Sequence, residues 1–389
     1  MNRFIRQEQI EGWDQSRIAG TTVAICGRGW ISSLCVQALA SMGFGKIIWL
    51  GRPDPECAVF DQWMLADSCP FPNTTLIEFP IENEYEAEMK SLLAFAQPDV
   101  LIDCTGDTGV SSLLEDFAQS AKIPLVQTDN ASHPCLQILN GALLSDWSRE
   151  LILPLAGKNE YSSTHALLRT PAPRTPFTIV IIGVGAIGTY AALGLARCGF
   201  RIIIFDFDRV EESNLNRQGF YAGLLGAAKS EACCRFIRWL MPESRIEHFN
   251  EAINENSASR LHSIAPDCLV SAVDNAKARL IIQTLSVHLR IPVVQAGTLT
   301  FGAECYTQQS EGPTLDEQMR GELSRAMSSE SQRRQRPRQQ SCGDRIYVVP
   351  GMVAGAMIVH RVCQISQYYR GLLPMLWRAG NSPIEQETW

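Results

Sequence analysis

The sequence predicts an α/β protein built from two tandem, doubly wound domains. Short apolar runs bounded by Gly and Pro alternate with helical patterns, as in βαβ units that build a mostly parallel sheet. That alternation occurs twice, and 389 residues are enough for two cores of ordinary size.

The repeat organises the chain. In the first half TTVAICGRGWISSLCVQALASMGFGKIIWLGR reads strand, Gly turn, helix, strand; in the second FTIVIIGVGAIGTYAALGLARCGFRIIIFDFD reads the same way. Further on, PDVLIDCTGDTGVSSLL matches PDCLVSAVDNAKARLII, and IPLVQTDN matches IPVVQAGT, in the same order. The expected boundaries are a first domain over 1–157, a Ser-, Thr- and Pro-rich linker over 158–177, and a second domain over 178–389. A stretch over about 308–340 reads as an irregular, mobile excursion. Its arginines Arg333, Arg334, Arg336 and Arg338 suit either a solvated loop or a flap that meets an acidic partner.

Composition excludes several classes. With 34 Lys+Arg against 41 Asp+Glu, the charge balance offers no general attraction to nucleic acid or to an anionic membrane. The charged start MNRFIRQEQIEG lacks the apolar core of a signal peptide, so a cytoplasmic location is expected. The uncharged run from Phe177 to Ala196 is long enough to span a bilayer, but its glycines give it a strand-turn-helix rhythm instead. The 13 cysteines read as thiols, and without any C-x-x-C spacing no zinc site is expected.

Gly183, Gly185 and Gly188 form a Gly-x-Gly-x-x-Gly turn between strand and helix, where backbone N–H groups can approach a phosphate. Taken alone, this turn and Asp206 at the next strand end fit a nicotinamide-dependent oxidoreductase as well as any other nucleotide enzyme. The following residues separate the two. Asp206, Asp208, Asn214, Arg217, Gln218, Lys229 and Asp274 supply cations and carboxylates that a dehydrogenase has no use for. An enzyme that transfers AMP to a carboxylate must stabilise charge on the α-phosphate while pyrophosphate leaves, and it needs fixed cations and Mg²⁺ to do so.

In this order the motifs G-x-G-x-x-G, D-x-D, N-L-x-R-Q, a downstream Lys and a D-N pair resemble the ThiF/MoeB and ubiquitin-activating enzyme family. The resemblance is close in the second half and degenerate in the first. It implies two Rossmann-like domains forming an intramolecular pseudo-dimer, with a further homodimer left open, and it implies ATP and Mg²⁺ as cofactors. Asp206 would bind the ribose beside Asp208, Asn214, Arg217 and Lys229 the phosphates, and Asp274 the magnesium ion; Gln218 belongs to the motif. Arg3-Phe4-Ile5-Arg6-Gln7 resembles the segment from which relatives lend an arginine across a dimer interface, so Arg6 is expected to complete the second domain's site.

The first copy departs from this pattern throughout. Its turn reads Gly27-Arg28-Gly29-Trp30-Ile31-Ser32, with bulky Trp30 in the turn; Gly51-Arg52-Pro53-Asp54 stands in place of D-x-D, and Gly106-Asp107-Thr108 in place of the D-N pair. It is expected to be an inactive copy, giving one ATP per chain.

Relatives that pass the carboxylate to sulfur carry a cysteine before a C-terminal helix, and Cys342 stands just before PGMVAGAMIVHRVCQI. Nearby arginines favour a reactive thiolate there, while a buried structural thiol is the competing reading. Cys233 and Cys234 lie on an apolar helix and read as core. Neither an inserted cysteine domain nor a C-terminal ubiquitin-like fold is expected, only a tail from about Arg370 with Trp377 and Trp389. Two functions follow: adenylation of a precursor peptide in pantocin- or microcin-like maturation, or activation of a ubiquitin-like protein with a thioester on Cys342.

Overall fold

The computed structural model describes residues 3–127 and 177–333 apart from short breaks, together with 348–368, 375–379 and 386–388. The first half runs α1 (Gln15–Gly20), β1 (Thr22–Cys26), α2 (Trp30–Met42), β2 (Lys46–Gly51), α3 (Ala58–Leu65), β3 (Thr75–Pro80), α4 (Tyr85–Ala96), β4 (Val100–Asp103), α5 (Thr108–Ala121) and β5 (Leu125–Gln127). Its five strands are parallel in the order β3-β2-β1-β4-β5. This is the Rossmann-like winding, whose crevice opens at the carboxyl ends of β1 and β4.

The second half repeats that winding with β6 (Thr178–Ile182), α6 (Gly188–Arg197), β7 (Arg201–Phe205), α7 (Lys229–Leu240), β8 (Ile246–Phe249), α8 (Ala258–Ile264), β9 (Cys268–Ser271), α9 (Ala276–Leu289) and β10 (Val293–Leu299). These strands pair in parallel as β8-β7-β6-β9-β10. The central strands are apolar without alternation because helices cover both faces, and all five residues of β6 are buried.

Small details repeat with the topology. The Thr22 N–H donates to Asp99 Oδ2 at 2.8 Å, and the Thr178 N–H donates to Asp267 Oδ2 at 2.7 Å. Lys122 and Arg290, at φ 56° and 55°, close the matching helices α5 and α9 in the left-handed conformation. A side-chain pair seated at equivalent positions in both sheets is what a duplicated unit leaves behind.

Beyond β10 the second half adds β11 (Gly302–Gln308), α10 (Leu315–Gln318), α11 (Glu322–Arg333), α12 (Val348–Tyr368), β12 (Met375–Ala379) and β13 (Gln386–Thr388). The antiparallel strands β11, β12 and β13 widen this sheet to eight. Two expectations change here. The stretch expected to be an irregular excursion over about 308–340 carries α10, whose Thr314 and Glu317 form a capping box, and α11; residues 334–340 lie outside the described residues. The stretch from about Arg370, expected only as a tail, contributes β12 and β13, whose backbone groups are satisfied by extending a sheet edge.

Helix α12 contains a segment, Val348–Ser366, long and apolar enough to cross a membrane, yet 78% of that window is buried in the protein. Its small residues explain the burial. A Cβ on Gly351 would lie 2.5 Å from the Ala186 carbonyl oxygen, one on Gly355 would lie 2.7 Å from Tyr190 Cβ, and one on Gly194 would lie 2.7 Å from Val359. Helices α6 and α12 therefore cross at backbone contact. The run from Phe177 to Ala196 is strand, turn and helix, as its glycines indicated.

The halves share one apolar core that includes Val36 and Leu39 of α2, Tyr190 of α6 and Ile358 of α12. Within it the Tyr190 hydroxyl donates to Gln37 Oε1 at 3.0 Å, a buried polar contact between first-half and second-half helices. Residues 158–176 of the expected linker lie outside the described residues.

Candidate functional site

The glycine turn links β6 to α6 at the carboxyl edge of the sheet. Gly183 has φ +87°, and a Cβ there would sit 2.8 Å from the Ala272 carbonyl oxygen; a Cβ on Gly188 would sit 1.9 Å from the Gly183 carbonyl oxygen. The fold itself forbids a side chain at both. Gly185 differs: its φ is ordinary, and a Cβ would meet only Gln218 Nε2 at 3.6 Å. Among the described residues nothing requires glycine at 185, so the open space above it suits a group from outside. No side chain caps the start of α6, whose first-turn N–H groups and dipole favour an anion.

The turn is braced by residues that the motifs did not reveal. The Tyr221 hydroxyl, fully buried, donates to the Val184 carbonyl oxygen at 2.6 Å, and Thr189 Oγ1 contacts the Val184 and Gly185 carbonyl oxygens at 2.9 and 2.6 Å. A tyrosine three positions past the N-L-N-R-Q motif carries no periodic or spacing signal.

Asp206 ends β7 and is buried. Its Oδ2 accepts from the Val184 N–H and its Oδ1 from the Asp208 N–H, both at 2.8 Å. Burial raises its pKa against the pull of these donors and of Lys229. Asp208, half exposed, pairs with buried Lys229 at 2.9 Å, so the ammonium is held at the start of α7 beside the turn.

The N-L-N-R-Q segment begins at Asn214, the last residue of a short 3₁₀ turn over Glu212–Asn214 that carries a reciprocal cap. Asn214 Oδ1 accepts from the Glu211 N–H at 3.0 Å, which leaves its Nδ2 as the donor for a ligand. Arg217 is buried, with Nη1 donating to the Ser213 carbonyl oxygen at 2.6 Å and to Asn216 Oδ1 at 2.9 Å. Its pKa is lowered to about 9, first by burial and then by the charge of Arg6, while Asp274 and Glu211 oppose the shift. The N-terminal Arg6 thus lies within electrostatic reach of the second half's own arginine. Gln218 is buried, with its Nε2 over Gly185.

Asp274 is exposed, at the turn between β9 and α9, where Asn275 caps the helix by accepting from the Ala278 N–H at 2.8 Å. Arg279, which the motif reading passed over, donates through Nε to the Val273 carbonyl oxygen at 3.0 Å and steadies this turn. Among the described residues no group of three His, Cys, Asp or Glu side chains could hold a metal by itself. One exposed carboxylate suits a magnesium ion that keeps its waters and is shared with nucleotide phosphates. Cys342 lies outside the described residues; Cys233 and Cys234 are buried, and burial drives both thiols upward in pKa.

The part of the chain that carries the glycine turn, its acidic partner, Arg217, Lys229 and Asp274 matches a known family. The ThiF family's sequence profile matches residues 175–381, more than half of the chain. The chain belongs to the ThiF family. As a ThiF-family protein it falls in the ubiquitin-activating-enzyme-like superfamily, and among its relatives are ubiquitin-like modifier-activating enzymes 5. The one from Drosophila persimilis is 37% identical over 117 residues, covering 27% of this chain and 30% of the relative. The one from Rattus norvegicus is 33% identical over 133 residues, covering 31% and 33%. The chain therefore spans about a third of the length of these curated relatives. A solved structure of Escherichia coli MccB with succinimide matches with a TM-score of 0.44 and 20% identity, covering 61% of this ThiF-family chain and 68% of that one.

The first half seats the same turn differently. Gly51 stands at the end of β2 where Asp206 stands at the end of β7, and a Cβ on Gly51 would lie 3.0 Å from Arg28 Cγ. Arg28, whose side chain is 2% exposed, stacks on Trp49 at 3.9 Å, pairs with Asp61 at 2.8 Å and pairs also with Glu78. Trp30 opens α2, and Arg28 fills the space beside Gly51 at this turn.

Proposed function

We propose that this chain is an ATP-dependent adenylyltransferase that activates a carboxylate. The observation that carries the reading is the set of cations held on the loops around the uncapped start of α6: buried Arg217, which feels the charge of Arg6, and buried Lys229 at the start of α7. Such a set of cations suits a polyanion, and a triphosphate supplies one. In this reading Asp206 accepts from the ribose hydroxyls, and Gly185 leaves room for the phosphates. Asn214 Nδ2, Arg217, Lys229 and Arg6 take the phosphate oxygens. Asp274 holds a hydrated magnesium ion, which supplies charge neutralisation to the phosphates. The substrate carboxylate oxygen attacks the α-phosphorus, the bond from that phosphorus to the bridging oxygen of pyrophosphate breaks, and pyrophosphate leaves as an acyl-AMP forms.

The carboxylate is proposed to belong to a ribosomal precursor peptide, in the maturation of a peptide natural product in the cytoplasm. A second reading draws on the activating enzymes 5 that match part of the chain: the substrate is then the C-terminus of a ubiquitin-like protein, passed to Cys342 as a thioester. In either case the first half is an inactive copy, the two halves act as an intramolecular pseudo-dimer, and one ATP binds per chain. ATP–pyrophosphate exchange, measured with each candidate peptide and protein, tests the reading. Exchange that depends on one partner supports it, and saturable nucleotide binding without exchange for any carboxylate partner defeats it. A Cys342→Ala variant that exchanges normally but forms no thioester selects the second reading; one that completes the whole modification selects the first.

A further inference from the structure

The N-terminal segment that carries Arg6 does more than bring in a charge. Next to it Gln7 is fully buried between the halves. Its Nε2 donates to the Met42 carbonyl oxygen at the end of α2 at 2.9 Å and to Gln15 Oε1 at 2.7 Å. Gln15 is itself fixed, because its Oε1 also accepts from the Trp13 indole N–H at 3.0 Å and its Nε2 donates to the same Met42 carbonyl at 3.0 Å. Both protons of the Gln7 amide nitrogen are thus engaged with acceptors that cannot donate in return. A flipped amide would set oxygen against oxygen at both contacts, so the orientation of Gln7 is dictated by the first half.

That orientation propagates. Gln7 Oε1 faces the second half and accepts from Asn216 Nδ2 at 3.4 Å; Asn216, fully buried, then presents Oδ1 to Arg217 Nη1 at 2.9 Å. Nη1 is anchored there and on the Ser213 carbonyl oxygen, leaving Nη2 and Nε as the edge that can meet a ligand. We infer that Gln7 is a positioning residue for Arg217: through Asn216 it transmits the polarity of the Met42 and Gln15 contacts and so sets which edge of the guanidinium faces the phosphates. The inactive half would then control the orientation of a phosphate-binding arginine in the active one. This rests on the reading that Arg217 binds ATP phosphates.

The test compares ATP with adenosine, which has no phosphate, by calorimetry on the full chain. Gln7→Met keeps the volume and removes the three hydrogen bonds that the Gln7 side chain makes, to Met42, Gln15 and Asn216. It should weaken ATP binding about five- to tenfold, the worth of one ordinary amide hydrogen bond, and leave adenosine binding unchanged. Combined with Arg217→Met it should add nothing to the loss caused by Arg217→Met alone. Equal weakening of ATP and adenosine, or additive losses in the double variant, would overturn the inference in favour of general packing. If Arg217→Met leaves ATP affinity intact, the reading of Arg217 itself fails, and that result is distinguishable from unchanged ATP binding in Gln7→Met alone. Should Gln7→Met not fold, Asn216→Ala cuts the same relay one link nearer the site, with the same pattern expected.

Discussion

The guanidinium of Arg6 depresses the pKa of Arg217, although one belongs to the N-terminal segment and the other to the turn after β7. The depression has a direction that can be used. Because the pKa of Arg217 in the fold lies below its ordinary value, any favourable contribution exists only above that ordinary value. It is lost as pH falls through about 9, so at neutral pH the charged residue costs stability. Arg6→Met removes part of that cost. We expect the ATP-free variant to melt no lower than the parent by calorimetry, while pyrophosphate exchange falls by about 100-fold or more, as when one transition-state donor is lost. Full activity in Arg6→Met would remove this residue from the site.

Glycine substitutions should separate fold from function. Gly188→Ala forces a Cβ to 1.9 Å from a backbone oxygen and should destabilise the chain by more than about 2 kcal/mol, as overpacking against rigid backbone does. Gly185→Ala meets only a side-chain nitrogen at 3.6 Å and should leave the thermal transition nearly in place. Its ATP affinity should nevertheless fall by at least about tenfold, since the added methyl occupies the space of close backbone approach to phosphate. Equal unfolding in both variants would mean that Gly185 serves the fold.

The buried carboxyl of Asp206 predicts an acid limb. Burial raises its pKa, so it takes up a proton at a higher pH than an ordinary aspartate. ATP affinity should therefore decline on acidification before the ordinary carboxylate range is reached. The sign for stability is opposite: the fold holds this proton more tightly than the unfolded chain does, so the group's contribution is present at low pH and lost as pH rises through the raised pKa. Affinity should thus fall under conditions where this group does not unfold the chain. Asp206→Asn should bind weakly with no such limb; an unchanged pH profile would assign the limb elsewhere.

The Arg28 network predicts a binding stoichiometry. Arg28 is held by Asp61 and Glu78, and Gly51 stands where the second half has the Asp206 carboxylate, so on the proposed reading the first half binds no ATP. Titration should give one ATP per chain, and Lys229→Ala should weaken that single event. Two events, or one that Lys229→Ala leaves unaltered, would relocate the site.

Much of this architecture was legible in the residues. Uninterrupted apolar strands and a glycine turn before a helix are local features, and both halves wind as the repeat indicates, because β1 and β6 must each bury both faces. The spacing of Asp206, Asn214, Arg217, Lys229 and Asp274 was also readable, since these residues lie close together along one set of loops. Other features were not. The tail that pairs as β12 and β13 is decided by an open sheet edge, while α10 had a local signal in its Thr314–Glu317 capping box that the charge and polarity of the surrounding stretch obscured.

The sequence by itself determined the doubled α/β plan and the family of the second half, because hydrophobic period and turn chemistry act over a few residues. Only the tertiary structure decided that Arg28 pairs with Asp61 and Glu78 beside the first turn, that Tyr221 braces the second, and that Gln7 links Met42 to Asn216 and hence to Arg217. Those contacts join residues far apart in the chain through buried polar groups. Their partners are chosen by the packing of the two halves, since a buried donor or acceptor must be satisfied by whatever the fold brings beside it.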